Sequence, residues 1–167
     1  MIRYCTDCGT GTEVRRVGKQ RLSVCPNCDR IFFRNPKVVV TGLIEQDARV
    51  LLVLRDIEPG RGLWGLPGGY VEWNEHPEDA MVRECEEETG ATVTAEDLLG
   101  VQHITMGEEG LVMLAYRARL LGGDIRARDE VQQVSWFPPD ALPPLAFASH
   151  RAVLHAWSEE LLARGVA

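Results

Sequence analysis

Four of the five residues from Glu84 to Glu88 are glutamates. On a helix turning about 100° per residue, Glu84, Glu87 and Glu88 fall within an arc of roughly 100°, while Met81, Val82 and Cys85 occupy the neighbouring arc and can face a core. Same-sign neighbours on a bare helix cost a few tenths of a kcal/mol per pair, so a cation is expected among these acids. Oxygen-only ligation by Glu84, Glu87 and Glu88 selects a hard divalent ion, Mg²⁺ or Mn²⁺, which keeps waters and bridges to phosphate oxygens. A water made acidic by such an ion is the natural nucleophile. Arg83, one turn before Glu87, can pair with that carboxylate and fix its rotamer. The bland alternative is a solvated acidic face, and the glycine and arginine spacing argues against it.

The flanking residues supply what would hold this helix in place. Leu66-Pro67-Gly68-Gly69 leads towards it, and glycines there let backbone approach metal and phosphate without a Cβ in the way, which makes Gly68 a candidate carbonyl ligand. Pro77 suits a first helical turn, Glu78 and Asp79 favour the positive end of its dipole, and Gly90 suits a left-handed stop. His76 stands at the N-cap, where Ser or Thr is commoner. Strands are expected over residues 37–44, 49–55, 98–106, 111–121 and 131–137, with a Pro/Gly loop over 56–62. A helix is expected over 149–163, with Val153, Trp157 and Leu161 as its core stripe.

A second constellation lies near the start of the chain. Cys5-x2-Cys8 and Cys25-x2-Cys28, sixteen residues apart, have the spacing of a two-knuckle zinc ribbon. Four thiolates leave no open coordination position, so this Zn²⁺ is expected to be structural. The rival reading, two disulfides in a secreted protein, lacks a signal peptide ahead of Cys5. The fifth cysteine, Cys85, is expected in the core.

Gly69, Glu75, Arg83-Glu84, Glu87-Glu88 and Gly90 together resemble a complete Nudix box, with all seven fixed positions matched and Cys85 and Ala91 standing where the family prefers larger aliphatics. The resemblance implies an α/β fold: a Nudix α/β/α sandwich with a mixed sheet over residues 35–167, preceded by the zinc ribbon over 1–34. It implies catalysis by Glu87, Glu88, Arg83 and Glu75, metal held by Gly68, Glu84, Glu87 and Glu88, and a further acid from a loop outside the helix. Glu108, Glu109, Asp124, Asp129 and Glu130 are the choices for that acid. Glu130, six residues before Trp136, is favoured, with Glu109 next.

The ribbon, Arg34-Asn35-Pro36-Lys37, Asp129-Glu130 and Leu145-Ala-Phe147-Ala-Ser149 are similar to zinc-ribbon Nudix proteins described as ADP-ribose or FAD pyrophosphatases. A downstream proline that many ADP-ribose pyrophosphatases carry is absent, since no Pro occurs between Pro77 and Pro138. The Ser-Gln-Pro-Trp tract of NADH pyrophosphatases is absent too. Arg34, Arg55, Trp64, Tyr70 and Trp73 are candidates for gripping a nucleotide through phosphate forks and base stacking, although each has packing or surface as its plainer reading. His103, His150 and His155 are read as packing or surface.

A formal charge of −7 argues against general nucleic-acid binding and leaves an anionic substrate to be met by metal and local arginines. The expected protein is a cytoplasmic hydrolase, a homodimer by resemblance, with a small-molecule nucleotide as partner and no membrane segment. Two alternatives stay open: a nucleoside triphosphate pyrophosphatase, and a nucleotide-sensing regulator whose ribbon, with Arg15, Arg16, Lys19 and Arg21, contacts nucleic acid or a partner.

Overall fold

The computed structural model describes residues 2–107 and 109–165, in two compact units, 1–36 and 37–167. The first unit is a three-stranded antiparallel sheet in the order β1 (Glu13–Val17), β2 (Gln20–Val24), β3 (Ile31–Phe32). Its two cysteine turns have the same construction. Gly9 donates its N–H to the Cys5 carbonyl at 2.9 Å, and Asp29 donates to the Cys25 carbonyl at 3.0 Å. Both donors sit in left-handed backbone, φ +72° and +55°, and Asp is among the few non-glycine residues that tolerate it.

The second unit contains β4 (Lys37–Gln46), β5 (Arg49–Arg55), β6 (Trp64–Gly65), α1 (Pro77–Thr89), β7 (Ala91–Met106), β8 (Glu109–Gly123), β9 (Val131–Phe137) and α2 (Ala148–Ala163). The sheet is mixed. Its order is β6-β5-β4-β8-β7, with β9 also paired to β5, and β4 runs parallel to β8 over Lys37↔Leu111 to Ile44↔Ala118.

Alternation along the central strands builds two cores, because successive side chains of a strand point to opposite faces. Val40 and Ile44 of β4 and Leu51 of β5 pack with Ala80, Met81 and Cys85 of α1. Leu43, Val50 and Leu52 pack on the other face with Val153, Leu154, Trp157 and Leu161 of α2, so the stripe expected for the last helix is core. Each of these fully buried aliphatics contributes about 1.5–3 kcal/mol. The result is helix, sheet, helix: the α/β/α sandwich expected from the sequence. Gly42 sets how closely α1 lies on β4, since a Cβ there would sit 2.7 Å from the Cys85 Sγ.

Strand β7 begins seven residues earlier than the expected 98–106. Its first half alternates apolar and polar residues over Ala91-Thr92-Val93-Thr94-Ala95, with Ala91 and Val93 buried, and register shifts against β8 after Thr92 and after Ala95 interrupt the pairing before the second half begins. β8 likewise extends beyond the expected 111–121 at both ends. Among the described residues, no helix is long and apolar enough to cross a membrane.

Candidate functional site

Helix α1 starts as its caps require. His76 accepts the Glu78 N–H at Nδ1 (3.4 Å), Pro77 occupies the first turn, and Gly90 stops the helix at φ +69°. The helix is therefore fixed at both ends beside the loop 66–69. That loop is drawn onto β4: the Pro67 carbonyl accepts from the Gly42 N–H and the Thr41 hydroxyl, both at 2.9 Å, and the Gly69 carbonyl accepts from the Val40 N–H at 2.9 Å. Gly68 lies between them at φ +152°, where a Cβ would fall 2.1 Å from the Val40 carbonyl oxygen. Its N–H donates to Glu88 Oε2 at 2.9 Å. Among the described residues, nothing donates to its carbonyl.

Arg83 organises the remaining acids. Its Nε and Nη2 donate to the two oxygens of Glu75 at 2.8 and 2.9 Å, and Nη2 also reaches the Tyr70 carbonyl at 3.0 Å. Nη1 donates to Glu84 Oε1 at 2.8 Å and Glu87 Oε2 at 2.9 Å. A guanidinium has five N–H donors, and here each has an acceptor. The Arg83 hydrogen bonds hold the Glu75 carboxyl below the usual range, and the reciprocal pull from Glu75 raises Arg83. Burial pushes Glu84 up despite Arg83 beside it. Burial likewise pushes Glu88 up, to about 7, with the Gly68 N–H pulling the other way and the charge of Glu84 adding to the rise.

Glu84 and Glu88 line a cleft of about 400 Å³ together with Gly68, Arg83, Glu130, Arg55 and Tyr70. Arg55 is braced: its Nε donates to the Pro59 carbonyl at 3.0 Å and its guanidinium lies 5.0 Å above the Phe147 ring. Of the loop acids weighed from sequence, Glu130 is at this cleft, Glu109 pairs with Lys37 at 2.7 Å, and Asp124 pairs with Arg126 at 3.3 Å. Asp129 lies in a neighbouring depression, and Glu108 is outside the described residues.

Other candidates stand elsewhere. Glu87 and Glu75 line the neighbouring depression with Asp129 and are not cleft-lining residues. Trp64 packs edge-on against Phe137, centroids 4.8 Å apart, on the α2 core, so it is a packing residue and not a stacking platform at the cleft. Trp73 is 95% exposed and is not part of the cleft wall. Arg34 lies in the first unit. Phe147, Ser149 and His150, at the start of α2, line the cleft; the sequence marks Phe147 and Ser149 only through the resemblance of the 145–149 stretch, and its packing or surface reading of His150 misses the cleft wall.

The donor chemistry of the cleft fits a hard divalent ion. Its ligand atoms are carboxylate and carbonyl oxygens, burial leaves Glu84 and Glu88 wanting positive charge, and at Gly69 a Cβ would stand 2.5 Å from the Glu84 carboxyl. Arg83 partly supplies that charge in this structure. The acids of α1 do not converge as three; among the described residues, that convergence occurs at Cys5, Cys8, Cys25 and Cys28, whose sulfurs all lie within 4.8 Å of one another. Cys5 and Cys28 are 3.6 Å apart, and Cys8 and Cys25 3.5 Å. A tetrahedral ion with bonds of about 2.3 Å needs sulfurs about 3.8 Å apart, and no disulfide competes for these thiols.

A NUDIX domain model matches residues 34–158. An ADP-ribose pyrophosphatase of Methanocaldococcus jannaschii is 34% identical over 72% of this chain and 73% of its own length. The NAD-capped RNA hydrolase NudC of Pseudomonas aeruginosa is 32% identical over 86% of this chain, a match that spans half of the NudC protein. The crystal structure of a NUDIX hydrolase from Nitrosomonas europaea superposes with a TM-score of 0.87 at 32% identity, covering 95% of this chain and 92% of that one.

Proposed function

The chain belongs to the NUDIX domain family, and on that premise we propose that it hydrolyses the pyrophosphate link of a nucleoside diphosphate joined to a second group, ADP-ribose or a FAD-like molecule first. One observation carries this reading: the two-sided cleft. On the α1 side stand Glu84, Glu88 and the Gly68 backbone. On the α2 side, Val39 and Met113, directly paired between β4 and β8, form an apolar floor with Ile104. A substrate joining phosphates to a flat, weakly polar ring matches both halves.

Glu84, Glu88 and the Gly68 carbonyl would hold Mg²⁺ or Mn²⁺, which when bound neutralises phosphate charge and acidifies a water, while Glu87 stands outside the cleft on Arg83. Arg83 and Glu75 keep Glu84 and Glu87 oriented through the five hydrogen bonds described. Among the described residues, the Glu130 carboxylate has no hydrogen-bond or ion-pair partner, and it lines the cleft with Glu88, close enough for its charge to add to the rise of that group. It takes the proton of the attacking water as the new P–O bond forms and the bridging P–O bond breaks. Arg55, braced on Phe147 and Pro59, offers its remaining N–H groups to the phosphates. For ADP-ribose, the products are AMP and ribose 5-phosphate.

The extended match to NudC favours a second member of the same class, a dinucleotide joined through its pyrophosphate as in an NAD cap. The four cysteines are inferred to hold one structural Zn²⁺. A cytoplasmic location and a homodimer belong to the same reading. A hydrolysis screen with Mg²⁺ over ADP-ribose, FAD, NADH, nucleotide sugars, diadenosine polyphosphates and nucleoside triphosphates tests the proposal. Turnover confined to the triphosphates would overturn it.

A further inference from the structure

His150 sits in the first turn of α2, 9% exposed. Its ring is seated against the backbone of Gly65, where a Cβ would come within 3.0 Å of Nδ1. The Leu66 N–H donates to that Nδ1 at 3.0 Å, so Nδ1 carries the lone pair and the ring proton belongs on Nε2. Among the described residues, nothing accepts from Nε2, although the ring forms part of the cleft wall. Phe147 stands edge-to-face with it, centroids 5.1 Å apart. The same cleft is lined by Val39, Ile104 and Met113, which belong to the core under α2. A fixed donor beside an apolar floor has the chemistry to recognise an uncharged acceptor on a flat ring, and it lies across the sheet from the acids of α1.

We propose that His150 reads the heterocyclic base of the substrate, its Nε2–H donating to a ring nitrogen or carbonyl while the base lies on the Val39, Ile104 and Met113 floor. His150 is thus a specificity-determining residue and not a proton carrier. Burial, reinforced by the charge of Arg55, lowers its pKa to about 4 and agrees with a ring that stays neutral while it donates. The inference rests on the proposed nucleotide substrate, whose base it assigns to this wall.

The test uses the full chain with ring-¹⁵N histidine, observed by NMR in Mg²⁺ with either AMP or ribose 5-phosphate, which offers the same phosphate without a base. The inference expects His150 as the Nε2–H tautomer and an Nε2 signal that moves with AMP but not with ribose 5-phosphate. Equal shifts from both probes, or none from either, would overturn it. In His150→Gln, AMP binding should weaken about fivefold to tenfold with ribose 5-phosphate binding unchanged; parallel weakening of both would assign His150 a purely structural role and reject the inference. A base-dependent response in a protein that hydrolyses no nucleoside diphosphate derivative would sink the proposed activity and uphold the base site. Hydrolysis of ADP-ribose without that response would do the reverse.

Discussion

Glu88→Gln keeps the side chain's shape and an acceptor for the Gly68 N–H while removing the charge, so it isolates what ionisation of this buried group does to the fold. The folded-state pKa is about 7 against an ordinary value of 4.5, raised chiefly by burial. For an acid whose folded pKa lies above its unfolded one, the associated stability is fully present below pH 4.5 and is lost as pH rises through 7. At about 1.4 kcal/mol per tenfold change in proton affinity, that gap is worth about 3 kcal/mol. For a chain of this size, the loss corresponds to roughly 6–12 °C in Tm. Unfolding in EDTA, followed by circular dichroism at pH 5 and pH 8, should show wild type losing most of this amount relative to Glu88→Gln as pH rises. At pH 8 the metal-free variant should be the more stable protein, although the wild-type carboxylate is the proposed ligand. Parallel pH dependences for the two proteins, or a variant less stable than wild type at pH 8, would refute the reasoning.

Arg83→Lys leaves three N–H donors for five acceptors and strands carboxylates that are 15–16% exposed, so a loss of roughly 3 kcal/mol is expected by urea unfolding; a change below about 1 kcal/mol would show that the network is slack. Glu130→Gln should lower kcat on the order of 10²-fold with little change in Tm, and unaltered kcat would remove Glu130 from the chemistry. Cys25→Ser should lose one equivalent of zinc by metal analysis and unfold the first unit. Full zinc content in that variant would contradict the four-thiolate site.

The signals legible in the sequence were local. The caps of α1, the Val153, Trp157 and Leu161 stripe and the paired cysteine turns follow from the chain within a few residues of each, and all appear in the structure. The wheel that grouped Glu84, Glu87 and Glu88 was less informative, because an arc of that width spans two environments: Glu88 meets the loop at Gly68, whereas Glu87 meets Arg83 and the outer depression. Trp64 illustrates a second limit. An aromatic type suits stacking and packing equally, and the pairing of both β6 and β9 with β5 is what brings Trp64 and Phe137 together. His150 needed contacts 84 residues apart, the Leu66 N–H at its Nδ1, for which no spacing rule exists. The braced Arg55 likewise depends on Phe147, which comes from the far end of the domain.

The central claim is water attack on a nucleoside diphosphate linkage at the Glu84 and Glu88 cleft, and product identification tests it most directly. ADP-ribose incubated with the full chain and Mg²⁺ in ¹⁸O-water should give AMP and ribose 5-phosphate with label on one of the two phosphates, and EDTA should stop the reaction. Undiminished cleavage in EDTA, or intact ADP-ribose beside nucleoside triphosphates cut to monophosphates, would contradict the account.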